Sequence, residues 1–497
     1  MKNFKTFLAV GAVLLLNAAC GNDEDDVVMV TNVSLSSSTL VLDIGETSQL
    51  TADVQPQDAV DKTITWTTSS TAIATVSTDG LVTAVAGGAA TITATASGKS
   101  ATCAVTVNVP LVQVNGDKAT INLASATSVE ETVIAISKAN EAGVKNYTIQ
   151  GDFSLLGIVY DEITKSITNP FEGTNVEVID FSNVTGWPES DGLAGLPDNA
   201  FYSPKDQCLY PALQKVVFSE TVKRIPLQAF IRSSALKTVE APGVTTVDLN
   251  AFYGCTSLVE VNMPKVTTLG QYAFYYCTSL VKVNMPQVTT FSKGTFYYCT
   301  SLQKADFPQV TTITERLFNI CSSLVEVNLP KVEGKIALSA FNGCTSLISI
   351  NLPNITSLDA YGLAGCTSLT EVNLPRLQTI EQRGFNACTS LTKISLPEVT
   401  EVNMYSFDKC SSLAEVDLPS VTYLDLVGTF ISSPLTVLKL SATGFITLQT
   451  DRNKLGFDST KVDLTLNTDK QGDCEGNVWV TRWGRFTWKS INFTSGN

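Results

Sequence analysis

Apolar positions follow three different periods along this chain. A continuous apolar run from Phe7 to Leu16, preceded by Lys2 and Lys5, is only half the length of a membrane-spanning helix, which takes about 20 residues. From Val33 to Val107 apolar and polar residues alternate in short runs such as Leu40-Val41-Leu42, Ile64-Thr65-Trp66 and Ala90-Thr91-Ile92-Thr93-Ala94, separated by Gly, Pro, Asp and Ser. A period of two with such breaks predicts an antiparallel β-sandwich, with Trp66 as its core anchor. Beyond Pro110, Val112 to Leu123 reads as a hairpin about Asn115-Gly116. Ser128-Val129-Glu130-Glu131 then forms a capping box, and Gly143 stops the helix it opens. Val129, Val133, Ile136 and Ala139 give that helix one apolar stripe, so it must cover something. Directly before a repeat array, it reads as the cap that a solenoid's end requires.

The third period is a repeat. The cysteines 255, 277, 299, 321, 344, 366, 388 and 410 fall 22 residues apart, with one spacing of 23 between Cys321 and Cys344. Prolines at 242, 264, 286, 308, 330, 353, 375, 397 and 419 keep the same beat. Leu258, Val261 and Met263 recur as Leu280, Val283 and Met285, an inward set that stacks rung on rung. Proline has no N–H for a sheet ladder, so each marks a strand's end. Phe274 and its equivalents fill the opposite wall, at what reads as a helical corner. The extra residue of the long rung falls within Val332-Glu333-Gly334-Lys335-Ile336. Weaker rungs are visible at 176–181, 213–218, 236–241, 435–440 and 462–466.

Composition removes several kinds of chemistry. There is no histidine, which excludes Ser-His-Asp and Cys-His nucleophile pairs and His-containing zinc sites. A two-carboxylate hydrolase survives that argument. A formal charge of −14 and a pI near 4.6 argue against nucleic acid and anionic membrane as direct partners. The cysteine column has the wrong spacing for zinc, which needs ligands close together. A disulfide ladder is conceivable at rung spacing, but Ser233 and Ser433 occupy the column at its ends, so buried free thiols are expected. Cys103 is likewise expected as a buried thiol.

Four resemblances add to this reading. Ala18-Ala19-Cys20 at the end of the apolar run resembles the bacterial lipoprotein signal, which implies a lipidated Cys20. The following Asn22-Asp23-Glu24-Asp25-Asp26 is similar to the acidic export signal of Bacteroidetes surface lipoproteins, implying an outer-membrane protein facing the cell exterior; a solvated spacer accounts for it equally. Trp66, Ser69-Ser70, Ala74-Thr75-Val76, Gly80, Val82-Thr83-Ala84, Gly88 and Thr91-Ile92 resemble the group 2 bacterial immunoglobulin-like family, whose members act as spacers or in adhesins. Ala273-Phe274-Tyr275-Tyr276-Cys277 and Ala340-Phe341-Asn342-Gly343-Cys344, with the proline after each strand, resemble the BspA-type leucine-rich repeats, whose relatives bind host matrix proteins and other cells.

The expected fold is therefore mainly β and multidomain, an immunoglobulin-like sandwich followed by a right-handed α/β leucine-rich-repeat solenoid with 22-residue rungs. The expected divisions are a signal peptide at 1–19, an acidic tether at 20–30, the sandwich at 31–108, a junction and cap at 109–145, the solenoid at 146–466 and a C-terminal cap at 467–497. No cofactor, metal or catalytic residue is expected.

Two surfaces are candidates for a protein or glycan ligand outside the cell, with the membrane reached only through the lipid. One is the outward sheet face, where Asn262, Asn284, Asn328, Asn351 and Asn373 form a ladder beside opposite charges at Glu260–Lys282, Lys304–Glu326, Glu371–Lys393 and Lys393–Glu415. Cross-strand pairing that holds register explains the same residues. The other is Tyr253, Tyr272, Tyr275, Tyr276, Tyr297 and Tyr298, aromatics confined to three rungs. These either cover the core or form a recognition patch. Trp479, Trp483 and Trp488 read as a closing cap, with a stacked-aromatic sugar site as the other reading.

Overall fold

In the computed structural model the described residues are 27–161, 163–164, 166–202, 210–425, 428–441, 447–449, 457–467, 474–475, 478–481 and 484–494. Cys20, the acidic run before Val27 and Trp483 lie outside them. The chain divides after Pro110 into two compact units.

The first unit is the predicted sandwich. Four strands, Thr39–Asp43, Lys99–Asn108, Gly88–Ala96 and Thr65–Thr68, form one sheet; Thr47–Gln49, Leu81–Ala84 and Ala74–Val76 form another, and Asn32–Leu35 pairs with Ala52–Gln55. The pairing is antiparallel except between Thr39–Asp43 and Lys99–Asn108, which run parallel. Trp66 is half-buried and bridges two core clusters rather than sitting within one. Its ring fixes Gly80, whose φ is +86°: a Cβ there would meet the Leu50 carbonyl at 2.4 Å and Trp66 Cζ2 at 2.8 Å. Cys103 is a buried free thiol.

The second unit is one continuous core from Ala119 to Trp488. It opens with the hairpin Val112–Asn115 and Lys118–Asn122, whose second strand pairs in parallel with Asn146–Asp152. The ladder then continues through Val178–Thr185, Lys215–Phe218, Thr238–Glu240, Glu260–Asn262 and Lys282–Asn284. Later rungs repeat the arrangement in the pair Lys304–Asp306 with Glu326–Asn328, the pair Ser349–Asn351 with Glu371–Asn373, and a five-stranded run from Lys393–Ser395 to Ser490–Phe493. All the weaker rungs named from the sequence join these ladders.

Helix α1 spans Val129–Glu141. Ser128 Oγ accepts from Glu131 N–H at 3.2 Å, and Gly143 follows at φ +88°. Ile136 and Ala139 of the predicted stripe are buried, but Val129 is 37 % exposed.

Two features differ from expectation. Among the described residues α1 is the one α-helix, so the rung corners are successive turns and the α component of the solenoid is absent from its rungs. The cause is visible in the backbone: each corner carries two residues at positive φ, which no α-helix accommodates. One lies five before the cysteine (Tyr272 54°, Arg316 56°, Arg383 60°) and one just before it (Tyr276 61°, Ile320 59°, Ala387 59°). The second difference is a further parallel ladder on the far side of the rung, formed by Thr246–Val247 and Thr268–Leu269 in early rungs and by Glu333–Ile336 through Thr447–Gln449 in later ones. Within the stretch where the sequence places the extra residue of the long rung, the ladder shifts register between Gly334 and Lys335, passing over Thr356 of the next strand.

Candidate functional site

Within each rung, Cys-Thr-Ser is a hydrogen-bonding device. Cys277 Sγ donates to the Phe252 carbonyl at 3.1 Å, Cys299 to that of Phe274 at 3.1 Å, Cys321 to that of Phe296 at 3.1 Å and Cys410 to that of Phe385 at 3.2 Å. Ser433 Oγ makes the same bond to the Phe407 carbonyl at 2.9 Å, so serine keeps the donation at that end of the column. The next residue repeats the pattern: Thr300 Oγ1 donates to the Thr278 carbonyl at 3.2 Å and Thr389 to that of Thr367 at 3.1 Å. The column thiols are free and fully buried, and burial pushes those from Cys277 to Cys388 well above the usual thiol range and Cys410 up to about 12. A thiol that resists ionisation is a poor nucleophile and a poor metal ligand.

Behind the cysteines runs a phenylalanine spine. Phe201, Phe230, Phe252, Phe274, Phe296, Phe318 and Phe341 stack with centroids 5.0 to 5.7 Å apart. Leu363 interrupts it, and Phe385, Phe407 and Phe430 resume it. Phe457 and then Trp488 close the far end at 5.7 and 5.9 Å, edge-on or tilted. Trp488 is 3 % exposed, so its ring ends the core and faces no sugar.

The tyrosines do come together. Tyr275 lies at the centre: its ring stacks on Tyr297 at 4.8 Å and 19°, and meets Tyr253, Tyr276 and Tyr298 edge-on at 4.8, 6.1 and 6.1 Å, while Tyr272 is tilted at 5.8 Å. Tyr276 is 45 % exposed and the other five are half-buried. Burial, and then the surrounding phenols, raises the Tyr275 hydroxyl above its usual range. Gly294 completes the patch, because Tyr272 lies where its Cβ would be, 2.5 Å from the ring. Tyr276 and Tyr298 occupy left-handed positions that glycine fills in the rungs of Gly254, Gly343 and Gly365. A β-carbon there costs roughly 1–2 kcal/mol, so the backbone does not favour tyrosine at those positions.

The sheet face is differently disposed. Its asparagines are exposed but bond one another in couples: Asn284 Nδ2 donates to Asn262 Oδ1 at 2.8 Å and Asn373 to Asn351 at 2.7 Å, while Asn328 donates to Asp306 at 2.8 Å. Of the expected charge pairs Lys304–Glu326 closes, at 2.9 Å. Glu260 and Lys282 are register partners, as are Lys393 and Glu415, but among the described residues no ion pair joins either couple, nor Glu371 to Lys393. Glu415 instead holds Lys439 at 2.9 Å.

Two further groups escaped the sequence reading, one half-buried and one exposed. Arg383 is sandwiched between the rings of Tyr361 and Tyr405, at 5.5 and 4.9 Å, and donates to the Tyr361 hydroxyl at 2.6 Å. These three share the column of Tyr272, and the signal was an aromatic–cation–aromatic sequence at 22-residue spacing. Val259, Val325 and Ile348, just before the outward strands, are 42 to 49 % exposed, the last two on adjacent rungs.

A β-sandwich followed by a solenoid of parallel ladders with an Asn-Met-Pro or Asn-Leu-Pro strand end is a leucine-rich-repeat architecture. The chain carries a BspA-type leucine-rich-repeat region, matched in six copies over residues 195–325 and 311–436, and a group 2 bacterial Ig-like domain, matched over 29–107. It is similar to solved structures of a leucine-rich repeat protein from Bacteroides ovatus (19 % identity, 73 % of this chain and 92 % of that one, TM-score 0.35) and of the pneumococcal vaccine antigen PcpA (14 % identity, 78 % and 96 %, TM-score 0.38). Among curated proteins it matches a lacto-N-biosidase of Bifidobacterium bifidum at 48 % identity over 81 residues, and an alpha-L-arabinofuranosidase of Bifidobacterium longum subsp. longum at 32 % over 164 residues. Those matches take in 16 % and 30 % of this chain, and the chain spans only 7 % and 15 % of the length of the two enzymes.

Proposed function

We propose that this chain is a non-enzymatic, adhesin-like surface protein that binds a host or neighbouring-cell protein through its repeat solenoid. The observation that carries the reading is the tyrosine patch. Six phenols converge on three rungs, three of them (Tyr272, Tyr276 and Tyr298) on left-handed backbone positions where a β-carbon is disfavoured, and other rungs place Gly, Ala, Lys, Ile, Arg or Ser at the position of Tyr276 and Tyr298. Amphipathic rings of this kind give large contact area at low entropic cost, which is why recognition surfaces favour them. Exposed Val325 and Ile348 on adjacent rungs add apolar surface suited to a protein partner.

A second reading, a glycan-binding component of a nutrient-capture system, draws on the parallel Tyr275 and Tyr297 rings as a stacking platform and on the partial likeness to two glycosidases. Screening the full chain against an extracellular protein panel and a glycan array separates the two. The adhesin-like reading expects capture of protein whose binding survives enzymatic deglycosylation; binding confined to glycans overturns it.

We infer also that Cys20 is lipidated and that, with the acidic segment after it, it anchors the chain in the outer membrane with the solenoid facing outward. Protease shaving of intact cells tests this. The repeat unit is expected to be cleaved or released; full protection would leave the acidic run as a spacer only.

A further inference from the structure

The N-terminal end of the repeat unit carries an open apolar groove of 370 Å³ between α1 and the Val112–Asn115 strand. Val112 and Val114 line the strand side, Ile134 and Ala135 the helix side, with Glu131 and Lys138 along the same helix face. That strand is the first of its eight-stranded sheet and, among the described residues, pairs only with Lys118–Asn122. Val114 is 50 % and Ile134 53 % exposed, on an element whose opposite side already covers the core with Ile136 and Ala139. The helix therefore has two apolar faces, and its role as a cap uses one of them.

The charge pattern on the second face identifies what fits it. Positions 131, 134, 135 and 138 lie on one side of an α-helix. Glu131 and Lys138 are equidistant from the Ile134–Ala135 peptide. A two-fold axis through that point sets Glu131 of each copy opposite Lys138 of the other, while Ile134 of each copy meets Ala135 of the other beside the groove. Self-complementarity of this kind is what an isologous contact requires. Both groups are exposed. Glu131 uses Oε2 to accept from Thr127 N–H and Oγ1, each at 2.8 Å, which leaves Oε1 for a cross-copy bond. Lys138 makes no ion pair among the described residues.

We propose that this face joins two copies of the chain through antiparallel α1 helices, so that the solenoids are presented in pairs. Sedimentation velocity of the full chain over a wide concentration range tests it. The wild-type chain is expected to show a monomer–dimer equilibrium. Lys138→Glu and Glu131→Lys should each weaken self-association at least tenfold, because each sets like charges against one another. An equimolar mixture of the two variants should regain wild-type association, since both cross-copy pairs are then opposite in sign. Glu131→Lys also loosens the helix cap, so Ile134→Asp, at an exposed position, provides an independent variant that should abolish the dimer while the far-UV spectrum is retained. A monomeric wild type, a dimer indifferent to Ile134→Asp, or a mixture without rescue overturns the proposal.

Discussion

Ala387 shows how the corner backbone chooses its residues. At φ +59° it is half-exposed, and the equivalent position is glycine in the rungs of Gly343 and Gly365. Replacing it by glycine removes the β-carbon conflict, about 1–2 kcal/mol, against an unfolded-state entropy penalty of about 0.4–1 kcal/mol. Ala387→Gly is therefore expected to stabilise the repeat unit by roughly 0.5–1 kcal/mol in urea unfolding; a loss of stability would show that the turn is held by something other than backbone preference. The cysteine column makes an equally local prediction. Cys321→Ser keeps the donation to the Phe296 carbonyl that Ser433 makes to Phe407, so it should cost about 1 kcal/mol or less, the worth of one hydrogen bond. A loss several times larger would mean that thiol packing, not donation, sets the column.

At the scale of the rung, the phenylalanine spine is the element that ties neighbours together. Phe296 stacks on Phe274 and Phe318 at 5.6 and 5.7 Å with planes within 8°, and is fully buried. Phe296→Ala should cost roughly 3–5 kcal/mol and uncouple the rungs on either side, giving a second transition in thermal unfolding. A single unshifted transition would contradict a nearest-neighbour solenoid. This spine, the inward Leu-x-x-Val-x-Met set and the 22-residue beat were legible in the sequence because each position admits few residue types. The corner was not. Its left-handed positions accept Tyr, Arg, Ile, Ala, Lys and Gly alike, since their side chains point outward and only φ is constrained. The second ladder was hidden for a similar reason: strands as short as Thr268–Leu269 carry no readable alternation. The asparagine ladder was seen, but not that its members consume one another's hydrogen bonds, which is a property of pairs across rungs and not of any one position. That couples the sheet face to structure and leaves the tyrosine patch as the surface that structure does not require.

For the molecule as a whole, the buried thiols set an alkaline limit. The unfolded thiol ionises near 9.0, whereas burial keeps the column protonated well above that, to about 12 at Cys410. The folded state then holds protons that the unfolded state has released. Their contribution is intact below pH 9 and is lost as pH rises from 9 toward the folded values, at about 1.4 kcal/mol per pH unit for each thiol. Urea midpoints should be level across neutral pH and fall steeply between pH 9 and 10.5, less steeply in a Cys321→Ser chain; a flat profile would mean that the column ionises while folded. The same thiols should titrate in full under denaturant and not at all in the native protein.

The proposed binding surface is the three tyrosine rungs rather than the sheet face. Its most direct test measures binding of the captured partner to the full chain beside two variants, Tyr275→Ala/Tyr276→Ala/Tyr297→Ala and Asn284→Ala/Asn351→Ala. The tyrosine variant should lose at least tenfold in affinity, about 1.4 kcal/mol, and the asparagine variant should bind within about twofold of wild type. The reverse ranking, or a tyrosine variant that binds unchanged, would contradict it.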